Sequence, residues 1–303
     1  MKLAKFLAGL AVLTLLGVSG VTAWAADIIG APGTYVTQEA DTLLDVAHVY
    51  DLGYVEIRAA NPGVDPWLPG AGVPVLLPTQ HVLPKAPRRG IVINLAELRL
   101  YYFPSDGEPR SFPIGIGREG YETPVGRTSV LRKRVDPAWV PTKSEREENP
   151  DLPAVVGPGP DNPMGKFALY LAWPSYAIHG TNQIYSIGRR GSHGCIRLYP
   201  EDIEWLFRLI EPGAPVLVVD QPAKVGWLGG ELYLEVHSLQ ADADSFEQTG
   251  SPRSELPIDA RALVLEAAGE DVGRLDWDVI HRAEIGRRGM PIRITRPKFT
   301  QLY

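Results

Sequence analysis

The sequence holds one cysteine, Cys195, and three methionines in 303 residues. A lone cysteine excludes a disulfide within the chain and any zinc site built on paired CxxC motifs, and no HExxH run replaces them. Positive charge is short as well. With 30 Lys and Arg against 36 Asp and Glu the formal net charge is −6, so no global field recruits nucleic acid or an anionic membrane surface. Hydrophobic residues at 45% and charged residues at 22% exclude a largely disordered chain.

Glycine and proline are plentiful, at 31 and 28 residues, and favour turns and short strands. At the N-terminus Lys2 and Lys5 precede an apolar run from Phe6 to Val18 and then Ala23-Trp24-Ala25. That run is shorter than the ~20 residues a membrane span needs, so residues 1–25 read as a secretory signal cut after Ala25. Residues 33–79 carry a strand at Thr34–Thr37 and a helix capped by Asp41 with Leu43, Leu44, Val46, Ala47 and Tyr50 at helical spacing. A second helix at Val55–Ala60 and a strand at Val73–Leu77 complete a βααβ layout. "TQHVLPKAPRR", residues 79–89, reads as a Pro-rich linker.

Residues 88–220 change to short strands: "IVINLAELRLYYF", "RSFPIGIG", "GRTSVLRKRV", "KFALYLAW", "YAIHG" and "APVLVVD". Lys143–Gly165 is too polar and proline-rich for core and is expected to wall a site. Pro200 opens a helix that puts Ile203, Leu206, Phe207 and Ile210 on one face. Residues 221–303 add a strand in "ELYLEVH", the polar "QADADSFEQTGSPRS" and helical patterns at Asp259–Gly269 and Trp277–Gly286. The expected fold is mainly β: a β-sandwich-like domain between a small βααβ module and a small α/β C-terminal extension.

The chemistry gathers in "HGTNQIYSIGRRGSHGCIRLYP", His179 to Pro200. A thiol attacks carbonyls as its thiolate, so a nucleophilic Cys195 needs an imidazole at hydrogen-bond range. His193, two places before, shares a strand face with it; His179 ends the preceding strand. Gly194 leaves room for a substrate backbone, and the amides of Gly194 and Cys195 are candidates for an oxyanion hole. Trp139, Tyr170, Trp173 and Tyr176 are candidates to wall the site or to pack in the core, and Arg189 and Arg190 to receive an anionic substrate. The residues alone leave open zinc held by His179, His193 and Cys195, and an inert buried thiol.

Family resemblances narrow this. "ADTLLDVAHVY", "IRAANP" and "GVPVLLP" resemble a LysM module, with Ala40 where Gly is usual, which implies a grip on peptidoglycan glycan. "YAIHGTN" with "SIGRRGSHGCIRL", flanked by "TPVGRTSVLRK" and "NPMGKFALYLAW", resembles the YkuD-like L,D-transpeptidases over residues 88–220. "GELYLEVH" and "GMPIRI" resemble the tail of the family's Gram-negative periplasmic branch. The resemblance implies Cys195 as nucleophile, His179 as proton donor and acceptor, and His193 and Ser192 in the loop shaping the site. It further implies substrate contacts at Gly180, Thr181 and Arg197, a backbone carbonyl orienting His179, and no cofactor or metal. The implied partners are peptidoglycan stem peptides and glycan, with a second stem, an outer-membrane lipoprotein or barrel protein, or water as acyl acceptor, in the periplasm.

Overall fold

The computed structural model describes residues 26–249 and 257–297, so the signal expected at 1–25 lies outside the described residues. Strand β1 (Ile28–Gly30) leads into β2 (Gly33–Val36), which pairs antiparallel with β3 (Pro74–Leu77) around helices α1 (Leu43–Val49) and α2 (Tyr54–Ala60). Leu43, Val46, Leu52, Ile57 and Val75 form the core of this unit. Its first helix is capped by Thr42, whose hydroxyl accepts the Asp45 N–H while the Asp45 carboxylate accepts the Thr42 N–H, a reciprocal capping box. Asp41, the expected cap, instead accepts from the Tyr35 hydroxyl and the Gln38 amide, both at 2.7 Å.

The expected linker is not free chain. Strand β4 (Gln80–Val82) pairs with β1 and buries His81 and Val82. Beyond it come β5 (Gly90–Asn94), β6 (Arg99–Phe103), β7 (Arg110–Pro113), β8 (Ile116–Gly117), β9 (Gly126–Val135) and α3 (Lys143–Glu148). Then follow β10 (Phe167–Leu171), β11 (Ala177–His179), β12 (Arg190–Ser192), β13 (Ile196–Arg197), α4 (Pro200–Leu209) and β14 (Pro215–Val219). Eight of these strands make one mixed sheet in the order β13-β11-β10-β9-β14-β5-β6-β7. Laid flat, its outer strands would stand ~34 Å apart at ~4.8 Å per strand. Yet Phe112 of β7 and Ile196 of β13 share one core with Ile91, Leu169 and Ile178, and Gly115, just past β7, bridges Arg197 of β13. The sheet therefore curls until its edges meet, and α4 seals it with Ile203 and Leu206.

The C-terminal extension is a three-stranded antiparallel sheet, β15 (Ala223–Leu228), β16 (Glu231–Val236) and β17 (Ile292–Arg293), with α5 (Gln240–Thr249), α6 (Arg261–Ala268) and α7 (Trp277–Gly286). Much of the stretch read as merely polar is thus helix α5, which buries Ala243 and Phe246 against its neighbours. Where the three units meet, charges are buried in pairs. Arg99 holds Glu56 of α2 at 3.0 Å, while the Lys224 ammonium reaches Glu97 at 2.6 Å, Glu235 at 2.9 Å and the Val82 carbonyl at 2.7 Å. His237 adds a contact to Glu235 at 2.6 Å. His81, Glu97 and Glu235 come within metal-ligand reach of one another, but the Lys224 ammonium already pairs with both carboxylates.

Candidate active site

Strand register brings the cysteine and the first histidine of the motif together. In one rung Arg132 of β9 lies opposite Tyr170 of β10, and Tyr170 opposite Ala177 of β11. In the next, Arg134 faces Ala168, Ala168 faces His179, and His179 faces Arg197 of β13. Cys195 stands two residues before Arg197, so alternation gives it Arg197's face and a place beside Ala177. The intervening rung, Leu169, Ile178 and Ile196, points the other way into the core. Ala168 and Ala177 keep the site face low enough to be the floor of a cavity of about 460 Å³.

Cys195, His179 and Arg197 all line that cavity, with Trp139, Tyr170 and Tyr176 as aromatic walls. Trp173 instead packs against the main core. The expected wall at Lys143–Gly165 contributes Glu145, Pro163 and Met164, and Lys143–Glu148 is helix α3. Cys195 is half-buried, and its Sγ donates to the Ser175 carbonyl at 3.7 Å. Burial raises the thiol pKa; the Ala177 amide and the Arg197 charge pull it back. His179 is 5% exposed, and its Nδ1 lies 2.5 Å from the Gly180 carbonyl. A carbonyl only accepts, so Nδ1 carries the proton and Nε2 keeps the lone pair. Burial, then the Arg197 charge, push this histidine down to about 4, against the backbone carbonyls of Gly180 and Met164. Thiol and imidazole are therefore both neutral at pH 7.

Arg197 has a buried Nε without a hydrogen-bond partner, and among the described residues no carboxylate lies within ion-pair distance of it. The loop around the thiol is tightly tied. Ser192 Oγ donates to the Cys195 carbonyl at 2.6 Å and accepts the Gly194 N–H at 3.1 Å, while Thr123 Oγ1 donates to the Gly194 carbonyl at 2.8 Å. Of the two amides expected to form an oxyanion hole, that of Gly194 is thus engaged by Ser192. Gly194 itself has φ +103°, and a Cβ there would stand 2.7 Å from Tyr176 Cε1, so no other residue fits.

The other candidates differ in where they stand. His193 lines the cavity, but its ring is held by Glu145 at 3.4 Å, Glu148 at 3.2 Å and the Tyr121 ring at 4.5 Å. Gly180 and Thr181 are not on the cavity wall. Gly180 packs under Ile203 of α4, and the buried Thr181 hydroxyl accepts the Gln183 N–H. Arg189 and Arg190 face away and pair with Glu247 and Asp244 of α5. Sequence reasoning missed Arg132 and Ser175. Period-two alternation along "TSVLRKRV" marks the face of Arg132, but only strand pairing shows that this face looks onto Cys195.

The chain has relatives among known proteins. The YkuD family, described as the L,D-transpeptidase catalytic domain, matches residues 88–218. The chain is similar to the probable L,D-transpeptidase YcfS of Escherichia coli K12, at 40% identity over 86% of this chain and 82% of that protein. It is similar to the probable L,D-transpeptidase YbiS of the same strain, at 42% identity over 81% of this chain and 80% of that protein. Among solved structures, the catalytic domain of the Enterococcus faecium L,D-transpeptidase covers 45% of this chain and 100% of that one at 26% identity, with a TM-score of 0.36. A mainly β chain with this motif and these relatives belongs to the L,D-transpeptidase family and is an enzyme.

Proposed function

We propose that the chain transfers the acyl group of a peptidoglycan tetrapeptide stem through Cys195 to an amine. The observation that carries this is the convergence of Cys195, His179 and an unpaired Arg197 on two adjacent rungs of one sheet face, open to one cavity. Cys195 attacks the carbonyl between the third residue and the terminal D-Ala as His179 Nε2 takes its proton. The tetrahedral intermediate collapses to a thioester, and D-Ala leaves with that proton. The acceptor amine then attacks the thioester, gives a proton to His179 and displaces the thiolate, which takes that proton from His179.

Neutral resting states suit this order. The thiolate forms as it attacks, so it is not standing ready for oxidation. Arg197 pairs with the carboxylate of the terminal D-Ala. That pairing offsets the positive charge that holds His179 down, so a bound donor makes its own base more basic. The amine belongs to a second stem, giving a crosslink, or to an outer-membrane protein, giving a tether; the tail's likeness to the periplasmic branch favours the tether. In this reading the unit at 33–79 grips glycan, residues 88–220 carry the chemistry, 221–303 are the extension, and segment 1–25 directs export to the periplasm. No helix among the described residues is long and apolar enough to cross a membrane.

Mass spectrometry of the chain from residue 26, incubated with a disaccharide tetrapeptide, tests the reading. The expected result is a stem-sized adduct and free D-Ala from the wild type and neither from Cys195→Ala. Dimer, protein-linked stem or free tripeptide then identifies amine, protein or water as the acceptor. Adduct formation by Cys195→Ala, or none by the folded wild type, overturns it.

A further inference from the structure

The rung that ends at Cys195 begins at Arg132. Its guanidinium lies 3.7 Å from the centre of the Tyr170 ring, so it lies over the aromatic face, and both side chains line the cavity. Three arginines near the site are matched: Arg118 with Glu148, Arg189 with Glu247, Arg190 with Asp244. Among the described residues no carboxylate lies within ion-pair distance of Arg132. The cavity therefore holds two cations without an ion-pair partner, half-buried Arg197 beside the thiol and exposed Arg132 at the far end of the rung, and its one carboxylate among the described residues, Glu145, lies against His193.

We propose that Arg132 binds a second carboxylate of the donor, the one at the far end of a diamino diacid side chain in the third stem position. Arg132 then selects a diamino diacid over a diamino monoacid such as lysine. This rests on the acyl-transfer reading above, in which Arg197 takes the terminal carboxylate. The dimensions agree. Three strand spacings of ~4.8 Å separate Arg132 from Cys195 along the rung, ~14 Å in all. An arginine side chain lying back over Tyr170 recovers ~6 Å and the attacking sulfur ~2 Å, leaving a gap of ~6 Å. In 2,6-diaminopimelate the scissile carbonyl and the distal carboxylate stand ~7 Å apart when extended. A planar fork fixed on an aromatic ring suits bidentate carboxylate binding. Lysine would instead aim an ammonium at the guanidinium, which repels it.

The test measures the rate of adduct formation and D-Ala release without any acceptor amine, so that only the donor half-reaction is read. Three tetrapeptide donors are compared, with meso-diaminopimelate, with its distal carboxylate amidated, and with lysine at position three. The wild type should acylate with the free diacid about ten- to a hundredfold faster in kcat/KM than with the other two. Arg132→Met should collapse that ratio toward one, and Arg132→Lys should restore part of it. Arg134→Met, two residues along the same face but off the cavity wall, should keep the wild-type ratio. Equal rates for the three donors in the wild type, or an Arg132→Met ratio unchanged from wild type, overturn the assignment while the acyl-transfer reading stands. No adduct with any donor in the folded wild type overturns both.

Discussion

Two groups of charged side chains stand out in this molecule, one buried at the junction of the units and one facing the cavity, and they are built on different rules. At the junction of the three units the buried cations have partners, Arg99 with Glu56, and Lys224 with both Glu97 and Glu235, while Asp202 keeps a buried oxygen without one. At the cavity, Arg197 and Arg132 have none among the described residues, and His179 has only backbone carbonyls. A half-buried charge left unmatched costs free energy, which applies to Arg197; Arg132 is exposed, and its lack of a partner costs little. The first group ties the units to one another; the second leaves two guanidinium groups open to the cavity.

That contrast can be broken by substitution. The largest effect belongs to Cys195→Ala, expected to lower the rate of D-Ala release by at least ~10⁴ while urea denaturation stays within ~0.5 kcal/mol of wild type. A large loss of stability would instead make the cysteine a packing residue. Lys224→Met should show the reverse, because two buried carboxylates lose their cation: about 3–5 kcal/mol less stable by urea titration. An unchanged midpoint would mean that the junction charges are solvated.

Between these lies His179, whose folded pKa of about 4 sits below its ordinary 6.5. From pH 6.5 down to 4 the unfolded chain binds a proton that the folded chain refuses, so stability falls as pH falls through that window. The full loss from this group is about 3 kcal/mol, and His179→Gln should remove that share in denaturation curves taken across the range, leaving the share of buried His81, which is also held low. A histidine signal that titrates near 6.5 in the folded protein would contradict the burial. Smaller again, Arg197→Gln strands no partner, so folding should change by under ~1 kcal/mol. Its kcat/KM for the stem should fall about a hundredfold, and the NMR titration of His179 should move upward as the opposing charge goes. If Arg197→Gln unfolds the protein, the guanidinium is structural after all.

How much of this was written legibly in the sequence depends on how local each signal is. Helix α4 was plain because Pro200, two acids and a 3.6-residue apolar stripe lie within ten residues. The strands around Ile91, Leu100 and Leu169 were plain for the same reason, as were Cys195 and His179 as motif residues. Strand β4 was not, since its partner β1 lies some fifty residues away and its three residues sit among prolines. Arg189 and Arg190 read as free loop cations because their acids come from α5, more than fifty residues further on. His193 looked equal to His179 by spacing; Glu145 and Glu148, also distant in sequence, take its ring.

The loop from His179 to Cys195 is fastened at both sides. Ile187 and Gly188 give their carbonyls to Tyr54 and Val55 of the N-terminal unit, and Arg189 and Arg190 reach into the C-terminal one. Gly188 approaches so closely that a Cβ on it would come within 2.1 Å of the Tyr54 nitrogen. Modularity in this chain is therefore only apparent: a fragment trimmed to the β domain would lose both moorings of the segment that connects its histidine to its thiol. Anyone dissecting the protein by truncation would be altering the reactive centre, even with every residue of that centre retained.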